Sequence, residues 1–208
     1  MQDSEIENII ESSKFRNHLL GLRKTILDGI SYFVVWQALN IEYEDSIQNL
    51  HSQKGFWVRY RGFFAPARNA LLWGTLMQLS KAFDKHPKAV SFDNLLVRAR
   101  NNPKVLTPYA TKDSLEDIQV KIYKNFELLK RLKEYRNKKL AHLDSEYNGN
   151  IAITLKDLST LIEETKSIFN SLKFSYDGKY DNFTEIMEDV GLHTSQVISI
   201  MKKIENYS

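Results

Sequence analysis

The 208-residue chain has no cysteine, which excludes a disulfide framework and a thiolate zinc site. With 42% apolar and 26% charged residues it can bury one substantial core, or one core with a small appendage. An acidic amino terminus (Asp3, Glu5, Glu7, Glu11) unlike a secretion signal, and a longest apolar run, Gly29 to Leu39, too short for a bilayer, point to a soluble cytoplasmic protein with no membrane contact.

In chain order, the spacing predicts a short acidic helix from Asp3 to Glu11, then a long helix from about Phe15 into the forties. Leu19, Leu22, Ile26, Gly29, Ile30, Phe33 and Trp36 line one side of it. Pro66 suits the first turn of the next helix, which runs to Phe83 on the stripe Leu72, Leu76, Leu79 and Phe83. Arg68 lies close to that stripe and snorkels. Residues 84–90, with Pro87, read as a loop, and Ser91 caps a helix to about Arg100. Pro103 and Pro108 break the chain before a helix that starts at Thr111 or Asp113. Thr154 with Asp157 reads as a capping box opening a helix to about Leu172. From Phe174 the composition shifts: Tyr176 to Tyr180 read as a loop, Asn182 to Val190 as a short helix, and His193 to Asn206 as a terminal helix. The expected fold is an all-α antiparallel helical bundle over residues 1–172, with a helical appendage over 173–208.

The charges are unevenly placed although they sum to +3. From Ser46 to Phe83 there is no acidic residue, while Lys54, Arg59, Arg61, Arg68 and Lys81 alternate with Phe56, Trp57, Tyr60, Phe63 and Phe64. Such polarity suits a surface with one phosphate-binding side.

The most informative stretch is Arg136-Asn137-Lys138-Lys139-Leu140-Ala141-His142. Leu115, Ile118, Ile122, Phe126, Leu129 and Leu132 form one helical face, and Arg136 continues it on the meridian of Ile118. A guanidinium on an inward stripe must be paired, face a partner chain, or serve as a tool. His142 supplies a group suited to moving protons near neutral pH. Six residues on an unbroken helix separate two side chains by roughly 120°. Either the helix ends near His142, or the pair works in a groove shared with a second subunit.

That segment, Arg-Asn-Lys-Lys-Leu-Ala-His-Leu-Asp at the end of a long helix in an all-helical chain, resembles the HEPN motif. The region from Arg59 to Asp84, followed by the helix from Ser91 to Arg100, is similar to the abortive-infection U-type branch of HEPN proteins. The resemblance spans roughly Lys14 to Leu172. It implies an HEPN-like bundle that pairs as a homodimer and cleaves RNA without a metal or other cofactor, as a toxin or antiviral effector. His142 would act on the ribose 2′-hydroxyl or the leaving 5′-oxygen, and Arg136 would stabilise charge in the transition state. Asn137 would hold a phosphate oxygen or orient the histidine. At least two of Arg59, Arg61, Lys138 and Lys139 are expected to contact RNA. In some HEPN toxins a tyrosine two residues after the histidine is modified by a nucleotidyltransferase partner; here that position is Asp144, which would instead pair with His142 or Arg136, or simply end the helix. A cognate antitoxin or a nucleotidyltransferase-type regulator is the further partner class. The alternative function is a non-catalytic HEPN-like module that binds RNA or a nucleotide, or acts as a scaffold beside a partner protein.

Overall fold

The computed structural model describes residues 2–48, 59–137 and 153–205. It is all-α, with no strand among the described residues. The helices are α1 (Gln2–Gln48), α2 (Arg61–Ala82), α3 (Phe92–Asn101), the single turn α4 (Pro103–Leu106), α5 (Lys112–Lys124), α6 (Phe126–Tyr135), α7 (Leu155–Asp177) and α8 (Phe183–Glu205). No helix among the described residues is long and apolar enough to cross a membrane.

The chain divides into two compact units, Met1–Leu27 with Leu76–Asp181, and Asp28–Thr75 with Asn182–Ser208. In the first, α5 packs on α3 and α7, and α3 also packs on α4 and α7. Phe15, Leu22, Phe92, Leu95, Ile118, Leu161 and Phe169 are sealed from solvent there. Each such side chain contributes about 1.5–3 kcal/mol by leaving water. Polar ties hold the first part of α1 to this core. Arg98 on α3 donates through Nε and Nη2 to Glu11 Oε1 at 3.0 and 2.7 Å, and through Nη1 to His18 Nδ1 at 2.7 Å. Arg23 forks onto the Asp181 carboxylate, and the Phe15 and Tyr176 rings lie 5.4 Å apart.

The second unit has its own small core of Leu39, Phe64 and Ile198, with Val35, Ala38, Leu71 and Met201 packed against it. Gly74 is required there: a Cβ at that position would meet the Tyr32 ring at 2.6 Å. Arg68 donates to the Asn40 side-chain oxygen, so the second inward arginine is tied within this unit.

Local signals set several boundaries as expected. Thr111 caps α5 by accepting from the Ser114 N–H at 3.2 Å. Thr154 and Asp157 form a reciprocal capping box at the start of α7. Other boundaries differ. The amino-terminal helix does not stop at Glu11 but continues through Ser12 and Ser13, and Gly191 sits inside α8 rather than between two helices. Neither site has a proline to stop propagation, and packing of the flanking apolar positions outweighs a modest propensity cost. α7 runs five residues past Leu172 to Asp177, where Gly178 at φ 70° ends it in the left-handed conformation. α2 begins at Arg61, so Pro66 lies inside the helix rather than in its first turn.

The largest difference concerns the helix that carries the motif. It is two helices, interrupted at Asn125, whose backbone sits at φ −88° and ψ 2°. The Asn125 side chain is buried and its Nδ2 donates to the Lys121 carbonyl at 2.9 Å. The interruption shifts the phase between the two segments. Ile118 is fully buried, whereas Phe126, eight residues on, is 46% exposed.

Candidate functional site

α6 is short and strongly amphipathic. Leu132 is its buried anchor, and the chain continues one turn later through Arg136 and Asn137 in π-helical turns. The Arg136 backbone keeps helical angles (φ −56°, ψ −51°), with its N–H shared between the carbonyls of Leu132 and Lys133.

The Arg136 side chain is half-buried. Its Nε and Nη2 donate to Asn137 Oδ1 at 3.1 and 3.0 Å. The partner is an amide, not a carboxylate. A neutral acceptor fixes two of the five guanidinium N–H groups and leaves the full positive charge in place. Asn137 thus orients the arginine in this structure, a role distinct from the phosphate or histidine contact expected of it.

Arg136 also borders a groove of about 510 Å³ in the first unit. One wall is α6, which presents Phe126, Leu129, Lys130, Lys133 and Arg136; the other is the end of α2 and the turn after it, with Ser80, Phe83, Asp84, Lys85 and His86. Lys130, Lys133 and Arg136 follow one another at three-residue spacing, a cationic ladder that rises roughly 9 Å along the chain while turning roughly 120° about it, and all three border the groove. Leu132 and Phe83 are buried beneath it and make the floor apolar.

The opposite lip is a fixed turn. Asp84 Oδ1 accepts the His86 N–H at 3.0 Å, His86 Nδ1 accepts the Lys88 N–H at 3.2 Å, and Asn94 Nδ2 donates to the carbonyls of His86 and Ala89, both at 2.8 Å. Because Nδ1 is the acceptor, a neutral His86 ring carries its proton on Nε2. Lys85 Nζ lies 5.3 Å from the centre of the Phe126 ring and 5.9 Å from that of Tyr123, close enough for cation–π attraction. Burial holds the Asp93 carboxyl above the ordinary carboxylate value, and the charge of the same lysine opposes that shift without cancelling it.

Of the residues singled out in the sequence, the structure brings together Arg136 and Asn137. Lys138, Lys139, His142 and Asp144 lie outside the described residues. Arg59 and Arg61 are exposed at the start of α2, in the second unit. Ser80, Lys130 and Lys133 escaped the sequence reading; in sequence Lys85 is one member of a basic run that continues past Phe83, and His86 has no neighbours that suggest a ligand, so neither stands out. The three-residue repeat of cations ending at Arg136 was the available signal for Lys130 and Lys133; the Ser80–His86 wall meets α6 only through tertiary folding.

The family model HEPN_AbiU2, described as AbiU2, matches residues 12–193, a span that includes every candidate residue named above. No curated protein and no solved structure matches the chain.

Proposed function

We propose that this chain, which belongs to the AbiU2 family of HEPN proteins, is a metal-independent endoribonuclease acting as a toxin or abortive-infection effector. The observation that carries the reading is the state of Arg136. It is a half-buried guanidinium that, among the described residues, is held by an amide and by no carboxylate, at the edge of a groove lined by further cations.

RNA carries its own nucleophile. In the proposed reaction the 2′-oxygen attacks the adjacent phosphorus, the bond from phosphorus to the 5′-oxygen breaks, and the products are a 2′,3′-cyclic phosphate and a 5′-hydroxyl. His142 takes the proton from the 2′-hydroxyl or gives one to the leaving 5′-oxygen. Arg136, set by Asn137, binds the non-bridging oxygens as negative charge builds on them, a contribution of the kind that is worth about 10²–10³ in rate when one donor is removed. A two-fold homodimer that aligned the two motifs would supply Arg136 and His142 from different copies. Asp144 occupies the position of the modifiable tyrosine in some HEPN toxins, so restraint by an antitoxin that covers the site fits this chain better than modification at that position.

The test is cleavage of mixed cellular RNA in EDTA by the wild type, Arg136→Ala and His142→Ala, with the products examined for cyclic phosphate ends. Loss in both variants supports the reading. Equal cleavage by all three overturns it. A non-catalytic RNA-binding module would bind through the same groove, since the ladder does not involve His142, but would yield no cyclic phosphate.

A further inference from the structure

The groove beside Arg136 contains a buried polar atom that the protein does not satisfy. Ser80 Oγ is shielded from solvent and makes no hydrogen bond in the structure, although Ser80 lines the groove. A buried hydroxyl without a partner is uncommon and costs stability, and rotation of the short Ser80 side chain toward the groove would offer it to a ligand atom. Around it stand three kinds of group that nucleic acid uses together. The Lys130–Lys133–Arg136 ladder offers three cations along one wall, Phe126 offers an exposed aromatic ring, and His86 offers an imidazole on a turn clamped by Asn94. Among the described residues that line the groove, Asp84 is the single acid, and its Oδ1 is engaged by the His86 N–H. The volume of about 510 Å³ falls within the roughly 300–1,000 Å³ typical of sites for molecules of nucleotide size.

We propose that the groove between the Asp84–His86 turn and α6 is a substrate subsite that seats a nucleotide of single-stranded RNA next to the Arg136 guanidinium. Lys130 and Lys133 take the phosphates flanking that nucleotide. Its base lies against Phe126, displacing Lys85 toward a phosphate, and its ribose or phosphate oxygens bond with His86 Nε2 and, once the Ser80 side chain turns into the groove, with Ser80 Oγ. Alternation of cations with an aromatic platform is the pattern of single-strand binding, whereas a duplex keeps its base faces stacked and cannot use Phe126. The inference rests on the reading of Arg136 as a group that faces RNA phosphate, and it does not require that the chain cleave.

The experiment is fluorescence anisotropy with a short 2′-O-methylated RNA, which lacks the attacking hydroxyl, alongside cleavage of the unmodified strand in EDTA. Lys130→Ala with Lys133→Ala should weaken binding at least about tenfold and flatten its salt dependence. Phe126→Ala should weaken it at least about fivefold, an effect a merely electrostatic surface would not show. Ser80→Ala should lower affinity while the melting temperature holds or rises, since an unpaired hydroxyl is removed, and His86→Ala should lower affinity without changing the circular dichroism spectrum. Wild-type affinity in all these variants overturns the subsite, as do failure of the wild type to bind the strand and equal affinity for a free mononucleotide. Groove-dependent binding without cleavage by the wild type would sink the ribonuclease reading and leave the subsite standing. Cleavage lost in Arg136→Ala and His142→Ala but unchanged in the groove variants would do the reverse.

Discussion

Two arginines of the first unit, Arg98 on α3 and Arg136 beyond α6, are both partly buried and both fork onto a neighbour, yet their partners differ in charge. Arg98 meets the Glu11 carboxylate, with the neutral His18 ring on its other side and Phe15 beneath it at 6.0 Å. Arg136 meets the Asn137 amide. The first arrangement spends its charge inside the protein and ties α1 to α3. The second keeps the geometry of a clamp and, among the described residues, leaves the charge without a carboxylate. The difference predicts opposite consequences for equivalent substitutions.

The largest expected effect is on activity. Arg136→Ala should reduce RNA cleavage by about 10²-fold or more, the scale of losing one donor to developing charge, with little change in melting temperature. Arg98→Ala should leave the cleavage rate per folded molecule intact. It removes charge-assisted hydrogen bonds and leaves Glu11 and His18 without their donor, a loss of about 1–2 kcal/mol or a few degrees in melting temperature for a chain of this size. Thermal melts and rates measured on the same preparations check both halves. If Arg136→Ala melts early and Arg98→Ala is inactive, the contrast is wrong.

A sharper probe changes the partner rather than the arginine. Asn137→Asp keeps the shape of the Arg136 clamp and puts a carboxylate where the amide stands. It should cost roughly tenfold in cleavage, because the guanidinium charge is then partly spent within the chain, while the melting temperature holds or rises slightly. An equal rate for Asn137→Asp and wild type would show that the neutrality of the partner is irrelevant.

Capping is a weaker and purely structural matter. Thr154→Ala removes the hydroxyl that accepts the Asp157 N–H at 3.1 Å and breaks the capping box of α7. A loss of about 1 kcal/mol is expected, read as a small fall in melting temperature with cleavage per folded molecule unchanged. Asp157 itself is held below the ordinary carboxylate value, chiefly by the Thr154 backbone N–H, with the Thr154 hydroxyl and Arg131 adding to the effect.

What could be read in the sequence follows how local each determinant is. The caps at Thr111 and Thr154 and the all-helical character rest on neighbouring residues and periodicity, and both were legible. The break at Asn125 was not, because it contains neither proline nor glycine and the apolar spacing runs across it without a gap. That break also changed what Arg136 means. Extrapolated from Ile118, Arg136 points into the core; in the structure it sits at the edge of a groove. The motif was recognisable as a run of residue types, and its clamp required only the next residue. The second wall of the groove was invisible for a different reason. Ser80 and His86 lie about fifty residues upstream of Arg136, and no spacing rule connects them.

The smallest effect tests the Arg98 side of the contrast through pH. His18 Nδ1 faces Arg98, which can only donate, so that nitrogen must be unprotonated for the contact to exist. Burial, and then the Arg98 charge, lower the His18 pKa, while Glu11 pulls the other way. In the unfolded chain the ring titrates at about 6.5. Between that value and the lowered folded one the unfolded chain binds more protons, so stability must fall as pH falls through this window. His18→Gln keeps an acceptor for Arg98 but cannot take a proton. Its melting temperature should therefore decline less than that of the wild type as the pH is lowered below about 6.5, with the two curves running parallel above about 7.5. The depressed Asp157 carboxyl loses its contribution only as pH falls below about 3.9, well clear of this comparison. Asp93, shifted upward, acts in the opposite direction, but equally in both proteins, and cancels in the difference. A wild-type curve no steeper than that of His18→Gln would mean that the Arg98 cluster does not constrain the ring, and the contrast between a spent and a retained arginine charge would then rest on Arg136 alone.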